Sequence, residues 1–292
     1  RVELTRKGDI ALYSAKTAGR GRFVMFVDAM DDTIRRRRVI EDELRAALVA
    51  GDQFELLYQR VFSAQSRQMC GVEALVRWRH PALGLVMPDT FIPVAEETGL
   101  IEPLGEWILA RACADARRWP IETLAVNISA VQLRNPRFVD RVIRIVEESG
   151  FDPRRLELEI TETSFLDNVQ HCAANLAALR AHGIRIALDD FGTGYSSFNH
   201  LKLFDVDRLK IDRSFVNAIR AEGDKSPIIR AIVELAKASL IQVTAEGVET
   251  QEQEQFLTGA GCDMLQGYLL SRPLSAAAID VMFHPVGHMD RH

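Results

Sequence analysis

Leu156-Glu157-Leu158-Glu159-Ile160-Thr161, a helix-patterned stretch from Val169 to His182, and then Ile184-Arg185-Ile186-Ala187-Leu188-Asp189-Asp190 together decide the fold. The first run alternates with period two, reads as a strand and places Glu159 at its end. The second is a strand that closes on two aspartates. Outward from this unit the pattern repeats. Further strands are expected at Phe54–Val61, Cys70–Trp78, Leu124–Ser129, Val206–Asp212, Ile241–Val248 and Asp263–Leu270. Helical spacing fills Pro103–Trp119, Pro136–Ser149, Ser226–Ser239 and Gln251–Thr258. Eight strands alternating with helices predict an α/β chain folded as a (β/α)8, TIM-like barrel. One departure is expected. Only residues 63–69 separate the first two strands, too few for a crossover helix of about a dozen residues. The first strand should therefore be antiparallel to its neighbour.

The barrel is expected over 51–285, with a disordered tail at 286–292. Ahead of it a helix over about 31–50 shows Ile40, Leu44, Ala47 and Leu48 at the spacing of one buried face, with Asp32 as its cap. Its Arg35-Arg36-Arg37-Arg38 run reads better as a solvated face than as a phosphate patch. Residues 1–30 hold a helix-like stretch, Asp9–Ala18, and an apolar strand-like run, Phe23–Val27, too short to bury a core alone. They read as the tail of another domain.

Composition narrows the function. The 292 residues are 47% hydrophobic and 26% charged, and 36 basic against 41 acidic side chains leave a net charge of −5. That balance argues against coating a nucleic-acid polymer. No apolar run approaches the ~18 residues of a membrane span, and no signal-peptide core is seen, so no membrane contact is expected of this chain. Cys70, Cys113, Cys172 and Cys262 form no CxxC pair, which fits a reducing cytoplasm better than a disulfide or zinc framework.

Barrels of this kind build active sites at the C-terminal ends of their strands. There fall Glu73, Asn127, Glu159, Asp189, Asp190, Lys210, Glu246 and Gln266, with Glu162 in the turn beyond Glu159 and Arg77 sharing the parity of Glu73. Singly, each has an ordinary reading: a helix cap, a turn residue, a solvated lysine. Together on one rim, so many carboxylates would repel one another unless compensated. Oxygen donors without Cys or His favour Mg²⁺ or Mn²⁺. Two such cations bridged by an aspartate suit in-line displacement at phosphorus, with Lys210 and Arg77 adding positive charge for an anionic diester. A one-metal, enolase-type reaction is the competing reading. Gly192–Gly194 is not a Walker loop.

The motifs at these positions resemble the EAL family of bacterial cyclic di-GMP phosphodiesterases. Glu73-Ala74-Leu75-Val76-Arg77-Trp78 looks like its signature. Asn127-Ile128-Ser129, Glu159-Ile160-Thr161-Glu162, Asp189-Asp190-Phe191-Gly192-Thr193-Gly194-Tyr195-Ser196-Ser197, Leu209-Lys210-Ile211-Asp212, Ala245-Glu246-Gly247-Val248-Glu249 and Gln266-Gly267-Tyr268 follow in the family's order. Ala11–Lys16 with Gly19-Arg20 is similar to the end of a GGDEF domain, whose cyclase signature is absent from this chain. The resemblance implies a piece of a tandem GGDEF–EAL protein, with the upstream GGDEF domain as a regulatory partner.

It further implies hydrolysis of the second messenger cyclic di-GMP to linear pGpG, or, as the alternative, a catalytically weak receptor for it. Carried over residue by residue, Glu73, Asn127, Glu159, Asp189, Asp190 and Glu246 are the ligands of two Mg²⁺ or Mn²⁺ ions, with Ca²⁺ expected to inhibit. Lys210 holds the attacking water or the phosphate. Gln59, Leu75, Arg77 and Gln266 are implied to contact substrate or the catalytic water. Glu162 and Glu249 are implied to support the loop after Asp190, through which a homodimer is expected. Arg60 stands where the family commonly has proline, and Asn199-His200 replaces a small-residue–Tyr pair. Both lie beside the implied site or its loop, and neither removes a catalytic group.

Overall fold

The computed structural model describes residues 5, 7, 8, 11, 12, 21, 23–162, 168–192, 203–219 and 226–283. They fall into two units, one of residues 1–54 and 78–100 and one of residues 55–77 and 101–292. The second holds the barrel. Its strands are β1 (Phe54–Ser63), β2 (Met69–His80), β4 (Thr123–Ile128), β5 (Leu156–Thr161), β6 (Arg185–Phe191), β7 (Arg208–Ile211), β8 (Gln242–Ala245) and β9 (Met264–Leu265). They run in the order β1-β9-β8-β7-β6-β5-β4-β2, and a β1–β2 pairing closes the ring. β2, β4, β5, β6, β7, β8 and β9 pair in parallel. β1 is antiparallel to β9, Phe62 opposite Leu265. The TIM-like barrel with its first strand reversed is the architecture that the short 63–69 link demands.

Between the strands lie helices Ile101–Ala116, Phe138–Ser149, Val169–Ala181, Pro227–Ala238 and Gln251–Ala260. Each hides an apolar stripe, such as Val142, Ile145 and Val146 or Ile229, Ile232, Val233 and Ala236. A short strand β10 (Leu274–Ser275) pairs with Leu57 and Tyr58 of β1.

The other unit contains the helix Asp28–Ala50, the end of β2, β3 (Gly84–Val86) and the helix Pro88–Thr98. β3 is antiparallel to β2, with Trp78 opposite Val86. Phe54, Trp78 and Phe91 pack ring against ring, 5.7–6.4 Å between centroids. The first helix buries Ile40, Leu44 and Ala47 as expected. It starts four residues before Asp32, with Val27 at its N-cap and no side-chain cap, because the exposed Asp32 lies inside it. Its arginines are a solvated face: Arg35 pairs with Asp31 at 3.0 Å, Arg37 with Glu97 at 2.8 Å.

Three expectations are corrected. Phe23–Val27 forms no strand, and Phe23 and Met25 are 86% and 71% exposed. The last barrel strand is two residues rather than Asp263–Leu270. A Cβ on Gly267 would sit 2.2 Å from the backbone of Val248, so here the chain crosses Val248 and leaves the ladder. The helix Pro88–Thr98 was not expected. Pro88 opens it, where a missing N–H costs nothing, but Pro93 inside it reads as a breaker. Most of residues 9–20, and residues 286–292, lie outside the described residues.

Candidate functional site

The side chains at the C-terminal rim close on one ammonium. Lys210 Nζ, on β7, lies 2.6 Å from Glu246, 2.7 Å from Glu159, 3.5 Å from Asp189 and 3.6 Å from Glu73. Lys210 and Glu159 are each only 2% exposed. Glu73 is fixed from two more sides. Asn127 Nδ2 and Gln266 Nε2 each donate to its carboxylate at 2.7 Å, and Gln266 also donates to Gln59 at 3.3 Å. Gln59 Nε2 in turn donates to the Ser271 carbonyl at 3.1 Å.

A bulge brings two consecutive aspartates to this rim. Leu188 pairs with Leu209 and Phe191 with Ile211, so Asp189 and Asp190 together oppose Lys210 alone. Regular alternation would send one of them away. Asp190 takes the extra turn at φ +55°, a left-handed conformation that Asp tolerates better than most residues, and its N–H donates to Asp189 at 2.9 Å.

Burial and like charge raise the proton affinity of the cluster. Glu159 is held well above the usual carboxylate range, first by burial and then by Glu73, with Lys210 opposing. Burial likewise pushes Glu246 up to about 8, with Asp189 and Glu73 adding to it against Lys210. Asp190 is raised by burial, Asp189 and Asp212. For Glu73 burial is overcome by Lys210, Gln266 and Asn127, and it stays below the ordinary value. Burial would lower Lys210, but its four carboxylates hold it well above normal.

A stability prediction follows from Glu246. Its folded value of about 8 exceeds 4.5, so between those values the folded chain binds more protons than the unfolded one. The stability it contributes is fully present below about pH 4.5 and is lost as pH rises toward 8. Melting in EDTA should show a lower Tm at pH 8.5 than at pH 6 for the wild type, and a smaller drop for Glu246→Gln. Equal drops in the two proteins would refute the assignment.

Among the described residues no three Asp, Glu, His or Cys side chains by themselves form a ready cation cage; the carboxylates close on Lys210 instead. The donor set is still that of a hard cation: carboxylate and carboxamide oxygens, with carboxyl groups so crowded that three of them, Glu159, Glu246 and Asp190, have raised proton affinity. Glu73, Asn127, Glu159, Asp189, Asp190 and Glu246 fit such a group.

Other expected residues stand apart. Leu75 and Arg77 are half-buried further along β2, where Arg77 donates to the Val76 carbonyl at 2.8 Å. Glu249 is exposed, and its backbone N–H meets Gln253. Glu162 is buried. The loop it was expected to hold, and Asn199-His200, lie outside the described residues from 193 to 202. Arg60 donates to Ser271 Oγ at 3.0 Å and lies over the Phe62 ring. Ser271, which ties down both Gln59 and Arg60, was missed, since an isolated serine after the last strand carries no signal. Asp212, the last residue of the Leu209–Asp212 motif, caps the next short helix and raises the proton affinity of Asp190.

Residues 41–273 match the EAL domain family. The chain is 41% identical over 281 residues to the bifunctional diguanylate cyclase/cyclic di-GMP phosphodiesterase MucR of Pseudomonas aeruginosa, covering 94% of this chain and 41% of that protein. An "Uncharacterized signaling protein" of Caulobacter vibrioides is 47% identical, over 94% of this chain and 34% of its own length. The chain thus spans well under half of these curated relatives. Among solved structures, the PaMucR phosphodiesterase in complex with c-di-GMP superposes with a TM-score of 0.78 at 41% identity, covering 82% of this chain and 99% of that one. A family match across four fifths of the chain and a matching barrel agree with the rim geometry, and on that ground the chain belongs to the EAL-domain family.

Proposed function

We propose that this chain hydrolyses one phosphodiester bond of cyclic di-GMP, giving linear pGpG. The observation that carries the reading is the convergence of Glu73, Glu159, Asp189 and Glu246 on Lys210, in a family whose relatives include named cyclic di-GMP phosphodiesterases. The family depends on divalent metal. Glu73, Asn127, Glu159, Asp189, Asp190 and Glu246 would hold two Mg²⁺ or Mn²⁺ ions. When bound, such ions supply positive charge to the phosphate oxygens and acidify an attacking water. The chain's own part is orientation and charge. Lys210 offers an ammonium to the anionic diester, and Gln59, Leu75, Arg77 and Gln266 position the nucleotide. Glu246, whose proton affinity is raised while no cation is bound, would give up that proton as a cation binds.

The test is incubation of the chain with cyclic di-GMP and Mg²⁺ or Mn²⁺, followed by chromatography. pGpG is expected. Tight binding without product would favour the receptor reading, and neither binding nor product would refute both. Ca²⁺ is expected to suppress turnover, because its longer bonds and larger ligand number misplace the reacting oxygens; full activity with Ca²⁺ as the sole cation would count against this.

Glu162→Gln should keep the fold but lower metal affinity and turnover by about 10- to 100-fold, as loss of a group supporting the ligands does. Wild-type metal titration in that variant would make Glu162 a plain structural charge. We also propose a cytoplasmic setting, in keeping with cysteines that form no CxxC pair, an upstream GGDEF domain acting through the helix Asp28–Ala50, and a homodimer built on the loop after Asp190. Identical kinetics with and without the upstream domain would rule out that coupling.

A further inference from the structure

One layer below the carboxylates the barrel encloses a cavity of about 10 Å³, lined among others by Glu157, Glu159, Arg208, Lys210, Thr244 and Gln266. Each of these six residues is at least 95% buried. Arg208 donates to Glu157 at 3.0 Å and to Gln242 at 3.2 Å, which engages only part of each group. Six side-chain atoms of the lining have no hydrogen-bond partner; Glu159 Oε2 and Lys210 Nζ form an ion pair with each other at 2.7 Å, which leaves Glu157 Oε2, Arg208 Nε, Thr244 Oγ1 and Gln266 Oε1. Left so, each would forfeit the hydrogen bond that water gives it in the unfolded chain.

Their chemistry selects the occupant. Glu157 Oε2 and Gln266 Oε1 only accept, Arg208 Nε only donates, and Thr244 Oγ1 does either. A cation would meet Arg208 and an anion would meet Glu157. One water satisfies both signs, with two hydrogens for the acceptors and two lone pairs for the donors. The volume is about that of a single water site.

We propose that this cavity holds one ordered water that fixes the side-chain amide of Gln266. With Oε1 turned to that water, Nε2 is left to face Glu73, which it meets at 2.7 Å. Thr244, Arg208 and Glu157 are thereby positioning residues. They act through the water and Gln266 on Glu73, and they touch neither substrate nor cation. The effect on metal binding and rate rests on the phosphodiesterase reading; the water itself does not.

Thr244→Val keeps the shape of the side chain and removes its hydroxyl. Crystals of the wild type at about 1.5 Å resolution should show one water bonded to Glu157, Thr244 and Gln266, and crystals of Thr244→Val should show it lost or shifted. Mg²⁺ or Mn²⁺ titrated calorimetrically should bind the variant about 10- to 100-fold more weakly. kcat should fall with KM for cyclic di-GMP unchanged, and Thr244→Ser should restore both. No water density in the wild type overturns the proposal, even if Thr244→Val fails to fold. Wild-type metal affinity in a folded Thr244→Val overturns the positioning role. If the wild type makes no pGpG, the phosphodiesterase reading fails, while the density and the titration still decide the water.

Discussion

Lys210→Met is expected to cost about 3–5 kcal/mol of stability in EDTA and about 10²- to 10³-fold in turnover with Mg²⁺ present. The ammonium lies within 4 Å of four carboxylates in a site almost closed to water. Arg208, which lines the same cavity, is engaged by Glu157 and Gln242. Removing it leaves buried negative charge with no partner, the most expensive way to break an ion pair. Divalent cations should restore most of the lost stability, since they deliver the missing charge, but not the rate. Denaturant midpoints in EDTA and in excess Mg²⁺, with the rate of pGpG formation, separate the two effects. Unchanged midpoints in both conditions would mean that the ammonium does not balance the cluster.

Glu73→Ala should lower turnover by about 10³-fold or more while leaving the barrel folded. The alanine removes a carboxylate that three groups now hold: Asn127 and Gln266 by hydrogen bonds, Lys210 by charge. Its value below the ordinary carboxylate range means that it is ready to serve as an anion at every physiological pH. The loss should appear as weaker metal binding together with lower kcat. Circular dichroism checks that the fold survives. Wild-type pGpG production by a folded Glu73→Ala would end the two-metal reading.

The barrel was legible because its signals are local and repeated. Leu156–Thr161 alternates so cleanly that its expected and observed limits coincide, and the reversed first strand followed from the length of one link. Asn127, Glu159, Lys210 and Glu246 were legible because one topological rule puts strand ends on one rim, whereas Glu73 lies inside the 12-residue β2 and was legible through its motif. What sequence could not supply was geometry that depends on a partner strand. The bulge at Asp189–Asp190 shows only when β6 is laid against β7, and the early end of β9 only when Gly267 is set against Val248. Nor does any local pattern announce that Thr244 and Gln266, each with an unpartnered side-chain oxygen, line the same internal space. The helix Pro88–Thr98 was hidden for another reason, since Pro93 argues locally against a helix that tertiary packing keeps.

The two aspartates of β6 have a consequence for inheritance and redesign. They occupy the span in which β6 carries a residue more than β7; Asp189 stays a rung against Thr161 of β5, so the extra residue is an insertion on the β7 side alone. Excising one residue there would give β6 and β7 an unbroken ladder, and by scaffold criteria alone it would count as a repair. It would also remove one of the two carboxylates set opposite Lys210. Selection for stability and selection for chemistry therefore pull in opposite directions at this position. A library that randomises strand lengths should recover sturdy, inactive barrels first.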